Sequence, residues 1–524
     1  MTNTPDPDNS WKCTGTPSVP HAEMDNEEDE CAYPGCKNTR SGIIQPEPQP
    51  NSNKRKKFAP IVSVLVVAAL LGAGGWWLKP PKTPEVPPET PPTSNPTPPV
   101  NPLPPPPPCC SSGEKVLFIG TSNPDRDNGI KEFKAGNYRQ AIKDFEKAVD
   151  GDPTSPELQI YFNNAKARHT GNPFVLAVVV PIDSKETSAE EILRGVADAQ
   201  TQFNDSKGLN NQLLEIMIGN DDSNPAIATT VAQQLANHPN ILAVIGHNDS
   251  DASKAALVEY EKAGIAMVSP TSTSTELSGN SFFRTLPSDA VSGAKLANHV
   301  WNTLILDRVA IFYNPNSSYS NSLYQVFAGK FQQLGGQVVK TIDIADSEFN
   351  AKQEIKAIQN QAQAQAIVLF PNTDKTSRAI AIAKANSNEP TSQRLTLLGG
   401  DALYSPDTLT SGGNAVEGLI LAVPWVAETD YAKRAERRWQ GDVSWRTAMS
   451  FDATQALIKT LSSGASRTTV LQNLKNTNLS ASETAGEALV FEPTGDRQAY
   501  PILVEVVRSP GGPKDSPFAF KPIR

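Results

Sequence analysis

The sequence predicts an α/β protein: two doubly wound parallel-sheet lobes with a ligand cleft between them. A disordered leader, one transmembrane helix and a small all-α repeat are expected ahead of the lobes. Three observations carry this reading. From Pro173 onward, short apolar runs alternate with helical patterns, the mark of parallel sheets with helices on both faces. The alternation falls into two sets of about 110 residues each, enough for two lobes. All five cysteines precede residue 111, so the large C-terminal part has no disulfide framework and must stand on its hydrophobic core.

The chain has 524 residues, with 47 Lys and Arg against 56 Asp and Glu, a formal net charge of −9. A nucleic-acid partner would require a basic face, and the only basic run is Lys54–Lys57. That run closes a polar leader, residues 1–57, which is read as disordered and cytoplasmic. Cys13, His21, Cys31 and Cys36 lie within it. Their spacing is only loosely finger-like and lacks a second tight pair, so unpaired thiols are preferred to a zinc site. Phe58–Leu78 is 21 residues without a charge, flanked by the Lys/Arg run and closed by Trp76-Trp77. About 20 apolar residues cross a bilayer, and the positive-inside bias places everything after residue 79 outside. A retained anchor fits better than a cleaved signal peptide, because the polar leader is long and no small-residue cleavage site follows.

Residues 79–112 form a proline-rich linker, with 16 prolines among positions 79–108. Such a segment is semi-rigid polyproline II, about 3.1 Å per residue, and would hold the next domain away from the membrane. Cys109-Cys110 follows, a vicinal pair that could be oxidised or could bridge to a second chain in an exported domain. Residues 125–170 show apolar spacings of three and four in two helical segments, broken at Pro153 and Pro156. This stretch resembles a tetratricopeptide repeat, with small residues at Gly136, Ala141 and Ala148 where helices pack closely. One repeat is too few for a solenoid, so it is read as a packing module.

The lobes begin with the strand Phe174–Val180. Strands at Leu213–Ile218, Ile241–Ile245 and Ile265–Val268 then alternate with helices at 189–204, 224–236 and 251–263. A second set has strands at Arg308–Tyr313, Gln337–Ile342, Ala366–Phe370 and Thr396–Leu398, with helices at 289–303, 320–334, 351–361 and 375–387. Ligands of such sheets bind at the carboxyl ends of the strands. There the sequence is rich in hydroxyls: Gly246–Ser253 after one strand, Ser269–Glu276 after the next. Free helix N–H groups and hydroxyls suit a carboxylate, although Ser, Thr and Asp are also ordinary caps. In the second lobe Asn316–Tyr319 and Gly399–Ala402 follow strands, and Asp401 could pair with an ammonium group.

These strand ends resemble the periplasmic branched-chain amino-acid-binding proteins, of the type I periplasmic-binding fold. The resemblance rests on Gly219–Pro225, Val244–His247, Met267–Leu277, Phe283–Thr285, Ser318-Tyr319, Gly399–Asp401 and Ser450–Ala453, in the right order over residues 171–508. It implies that Ser250 and Thr273 bind a ligand α-carboxylate, with the Thr271 backbone helping. It implies that Asp401 takes the α-ammonium, that Tyr319 closes over the ligand, and that Phe370 and Asn372 border the side-chain pocket. Asp401 stands where many such proteins have Glu, and Ser320 where Gly is usual. Asp249 and Asp251 flank Ser250. Either they point away, or the ligand carries extra positive charge or is not an α-amino acid. Lobe 1 is expected over 171–288 and 418–490, lobe 2 over 289–417 and 491–508, with crossings near 286–290, 415–420 and 490–498. Residues 509–524 are read as a tail.

The resemblance implies a membrane-tethered extracytoplasmic, periplasmic or extracellular, solute-binding protein. It would capture an amino acid or similar solute for an ABC importer's permease. The alternative is a sensor that signals to a protein partner through lobe closure. An enzyme is disfavoured: the five histidines form no metal spacing, and no nucleophile elbow or phosphate loop appears. No cofactor is implied.

Overall fold

A computed structural model describes residues 11–16, 19–26, 104–120, 122–509, 512 and 516–523. The expected span Phe58–Leu78, Cys31, Cys36 and most of the proline-rich linker lie outside the described residues. Among the described residues no helix is long and apolar enough to cross a membrane. The chain divides into residues 1–93 and 94–524. In the first part β1 (Trp11–Thr16) and β2 (Val19–Asn26) pair antiparallel, Trp11 opposite Asn26 and Cys13 opposite Met24. The leader read as disordered therefore carries strand structure here.

The second part opens with β3 (Cys110–Ser111) and three helices: α1 (Pro124–Lys134), α2 (Tyr138–Gly151) and α3 (Pro156–Thr170). Two caps set their starts: the Asn123 side chain accepts from Arg126 N–H and the Ser155 side chain from Leu158 N–H, each with proline next in sequence. Helices α1 and α2 cross closely at Gly129, where a Cβ would lie 2.5 Å from the Phe145 ring. Gly136, expected at a close helix contact, has open space around it. Its φ of +75° serves the turn between α1 and α2 instead.

Lobe 1 follows: β4 (Phe174–Val180), α4 (Glu186–Asp205), β5 (Leu214–Asn220), α5 (Pro225–Asn237), β6 (Ile241–Ile245), α6 (Ser250–Ala263), β7 (Ala266–Ser269) and β8 (Phe282–Arg284). Its sheet order is β3-β5-β4-β6-β7-β8, parallel except for β3. β4 is buried along its whole length, as a strand covered on both faces must be. The elements of lobe 2 are α7 (Asp289–Asn298), β9 (Arg308–Tyr313), α8 (Ser318–Gln333), β10 (Gln337–Asp343), α9 (Ala351–Ala357), β11 (Ala366–Phe370), α10 (Thr376–Ser387), β12 (Thr396–Gly399), α11 (Pro406–Gly412) and β13 (Ile420–Val423). The chain then returns to lobe 1 with α12 (Asp430–Trp439), α13 (Trp445–Thr460), α14 (Arg467–Leu474), β14 (Asn478–Leu479) and β15 (Leu489–Val490). It ends in lobe 2 with β16 (Ile502–Arg508) and β17 (Phe518–Pro522). The lobe 2 sheet runs β10-β9-β11-β12-β13-β16-β17.

Two expected boundaries shift. β13 belongs to the lobe 2 sheet, so the second crossing falls between Val423 and Asp430, later than 415–420. Within the expected tail, β17 pairs antiparallel with β16, and Phe518 is buried in the lobe 2 core. Two of the three crossings are tied together. The Arg497 guanidinium donates to the Thr285 carbonyl at 2.8 Å and to Asp452 at 2.7 Å.

The three N-terminal helices share the lobe 1 core through Phe133, Phe145, Ile160 and Tyr161. β3 is only two residues long, which leaves much of the β5 edge open. Asn164 of α3 fills that edge, accepting from Ile216 N–H at 2.8 Å and donating to its carbonyl at 2.7 Å. Arg168 forms a two-pronged ion pair with the fully buried Glu215 of β5. Cys109 and Cys110 are bonded to each other, and Cys110 packs against Gly219.

Candidate ligand-binding cleft

On lobe 1 the site begins where β6 ends. Gly246 has φ of +133°, and a Cβ there would lie 2.7 Å from the Val179 carbonyl, so the chain can pass only as glycine. The next carbonyl, of His247, gathers the hydroxyls of Thr271 (3.2 Å), Ser269 (3.3 Å) and Ser272 (3.4 Å). That fixes the β7 loop beside the start of α6. The His247 ring is wholly buried, with Nδ1 2.6 Å from Asp221 and Nε2 3.0 Å from the Tyr260 hydroxyl. It is a strut between β5 and α6 and does not reach the cleft. Arg284, also buried, holds the β7 loop from below by donating to the carbonyls of Ser272, Ser274 and Leu277.

On lobe 2 the Tyr319 hydroxyl donates to Asp401 at 2.6 Å, and Ala402 N–H donates to that hydroxyl at 3.3 Å. Gly400 permits this approach, since a Cβ there would lie 2.5 Å from the Tyr319 oxygen. Ser320, where the resemblance expects Gly, donates to the Phe370 carbonyl and accepts from Asn314 N–H, locking the start of α8 to the ends of β9 and β11. The Asn314 amide donates to the Asn372 side chain at 3.0 Å.

These two surfaces enclose a cavity of about 320 Å³, within the range of small-molecule sites. Ser250, Thr271, Tyr319, Asn372 and Asp401 line it together. Thr273 does not: it is buried beneath, its carbonyl accepting from Asp289 N–H. Phe370 does not either. Its ring lies in the lobe 2 core against Phe327, because the side chain faces the sheet interior while only its carbonyl meets the loop. Sequence reasoning missed Lys185, Asn314, Asp374, Trp445 and Arg446, which also line the cavity. Lys185 stands just beyond the carboxyl end of β4, where the strand-end rule could have found it. Trp445 and Arg446 open α13, and no local pattern links that helix to the cleft. Trp445 also borders a second cavity of about 270 Å³.

Asp249 and Asp251 both line the cavity, and both are engaged. Asp249 caps α6 by accepting from Ala252 N–H, and Lys185 lies between it (3.5 Å) and Asp374 (3.1 Å). Burial pushes the Asp249 carboxyl up, with Lys185 pulling the other way. Asp251 accepts from Ser318 N–H at 3.1 Å, on the first turn of α8 in the other lobe. Thr275 N–H also donates to Ser322 across the cleft at 2.9 Å. Asp401 is pushed up chiefly by burial, with Tyr319 and Arg446 opposing. Behind it, the buried Asp289 is pushed up to about 7, first by burial and then by the charge of Asp401.

Among the described residues no group of three or more His, Cys, Asp or Glu could hold a metal ion. A model of the periplasmic binding protein family matches residues 176–501, more than half of the chain. The chain belongs to that family. An amino acid binding protein from Pseudomonas aeruginosa is 26% identical over 184 residues, 33% of this chain and 49% of that protein. The leucine-specific-binding protein of Salmonella typhimurium is 22% identical over 317 residues, 58% of this chain and 83% of the relative. For the first two curated relatives matched, the chain spans 49% and 61% of their length. Among solved structures, the leucine-, isoleucine-, valine-, threonine- and alanine-binding protein from Brucella ovis, in its closed conformation, matches with a TM-score of 0.60 at 15% identity. That match covers 68% of this chain and 95% of that one. By name the family is one of periplasmic binding proteins, and the relatives are amino-acid-binding proteins.

Proposed function

We propose that this protein captures an amino acid or a similar zwitterion between its lobes and delivers it to an ABC importer. One observation carries the reading: the cavity sets the lobe 1 loops, with Ser250 and the Thr271 main chain, opposite the lobe 2 carboxylate of Asp401, which is held by the Tyr319 hydroxyl. Ser250 and the Thr271 main chain would receive the α-carboxylate, at the N-terminus of α6. Thr273 supports that loop from beneath. Asp401 would receive the α-ammonium, with Tyr319 orienting it, and Asn372 would border the side chain. The amino-acid-binding relatives support the same class of ligand. A ligand touching both lobes favours closure by its differential contacts. Phe58–Leu78 would tether the protein, with the proline-rich linker as spacer.

Calorimetry on the full-length protein tests this. Binding of an amino acid that is abolished by Asp401→Ala and weakened by Ser250→Ala supports it, and binding indifferent to both overturns it. A sensor is the second reading, favoured by the way the tetratricopeptide-like helices share the lobe 1 core. Loss of solute uptake in a deletion strain supports delivery. Intact uptake with a lost cellular response supports sensing.

A further inference from the structure

The second cavity, of about 270 Å³, lies where the chain crosses from lobe 2 back to lobe 1. Its volume is close to the lower end of small-molecule sites. Both lobes wall it: Tyr404 and Phe520 from lobe 2, Glu436 and Val443 from lobe 1, with Trp425 and Glu428 from the crossing itself. Two kinds of surface meet there. The first is aromatic. The half-buried rings of Tyr404 and Phe520 form an edge-to-face corner, 4.8 Å between centroids and 70° apart. The Trp425 indole is fixed by donating to the Ala485 carbonyl at 3.0 Å. The second surface is anionic. Glu191, Glu428, Glu436 and Asp442 line the cavity, and among the described residues Lys521 is the one cation in its walls. Glu191 is taken by Arg446 at 3.4 Å. The other three carboxylates outnumber Lys521, and their charge reaches their neighbours. The Tyr404 hydroxyl is pushed up to about 12, first by burial and then by Glu428. The Glu436 carboxyl is pushed up by burial and then by Asp442, with Arg437 opposing.

We propose that this cavity is a second ligand site and that it takes a small organic cation, an alkylated ammonium group. The carboxylates set the sign of the charge, and the faces of the rings attract the same sign. The apolar walls call for carbon around that charge, since burying alkyl groups against them is favourable. An anion would meet three carboxylates for one ammonium. A metal ion would lack its ligands, because among the described residues no group of three or more His, Cys, Asp or Glu could hold one. The proposal does not depend on what the first cavity binds: of the residues lining the two, only Trp445 is common to both.

Calorimetry on the full-length protein tests this with choline and with 3,3-dimethylbutan-1-ol, which has the same shape and no charge. Choline is expected to bind at least about tenfold tighter than the alcohol. Glu428→Gln combined with Glu436→Gln should lower choline affinity about fivefold or more at low salt, and less at high salt. Phe520→Leu keeps an apolar wall and removes a ring, and should lower it about 3- to 30-fold. Asp401→Ala alters only the first cavity and should leave choline affinity as it was. Thermal unfolding confirms that each variant is folded. Absence of saturable choline binding overturns the proposal, and so does equal binding of the alcohol. Choline binding that is lost in Asp401→Ala and kept in the double glutamate variant also overturns it, by placing the cation in the first cavity.

Discussion

Tyr319 reaches Asp401 with a 2.6 Å hydrogen bond only because residue 400 is glycine. The pair should therefore respond to changes on either side. Tyr319→Phe removes the donor that opposes the burial-driven rise of the Asp401 carboxyl, and should weaken ligand binding about tenfold. Gly400→Ala pushes the ring away without touching either functional group, and should cost at least as much. Calorimetry on both variants, with thermal unfolding to confirm the fold, checks this. A Gly400→Ala protein with full affinity would mean that the contact is ornamental.

Asp289 gives the fold a pH dependence. Its carboxyl stands at about 7 in the folded protein against 3.8 ordinarily, so the folded state holds its proton more tightly. That contribution is fully present below about pH 4 and is lost as pH rises through 7. Asp289→Asn should flatten the fall in stability between pH 5 and 8, and should be more stable than the parent at pH 8. Urea unfolding at the two pH values reads the difference, and parallel curves for both proteins would refute it.

Glu215 lies in the β5 strand with no exposure, and Arg168 of α3 is its counter-charge. Arg168→Met leaves a buried carboxylate alone and should destabilise by about 3 to 5 kcal/mol. Arg168→Met combined with Glu215→Gln should recover much of that loss. The measurement is the denaturant midpoint, and additive losses in the double variant would show that the two residues act independently.

Lys185 crosses the cleft between Asp249 and Asp374. The Asp374 end is well exposed, so the pair is worth at most about 1 kcal/mol. Lys185→Met should relax closure modestly, weakening ligand affinity less than about fivefold, and the difference should shrink at high salt. Affinity at low and high ionic strength tests it. A loss that persists unchanged in high salt would point to direct ligand contact instead.

Much of the fold was legible because its strands announce themselves. Phe174–Val180 is an unbroken apolar run, and a strand buried on both faces has no other way to be written. The strand-end rule found Ser250, Thr271, Tyr319 and Asp401 because each follows a strand by a few residues. It failed where sequence distance and spatial distance part company. Trp445 and Arg446 reach the cavity from a helix in the returning segment, about 260 residues after Lys185. Phe370 was misplaced for a different reason: the period-two alternation of a strand decides which neighbour faces the loop, and one residue changes the face. Asn164 was invisible too, because an asparagine that completes a sheet edge looks like any other polar helix residue.

The two ends of the lobe-bearing region attach to different halves. Residues 104–109 run straight into β3 on the outer edge of the lobe 1 sheet, whereas the final strand β17 borders lobe 2. Anything pulling from upstream therefore grips lobe 1 and its helical cap as one stator. In the closure proposed above, lobe 2 would be the rotor, turning on three short crossings and carrying Asp401 and Tyr319 toward the proposed carboxylate seat.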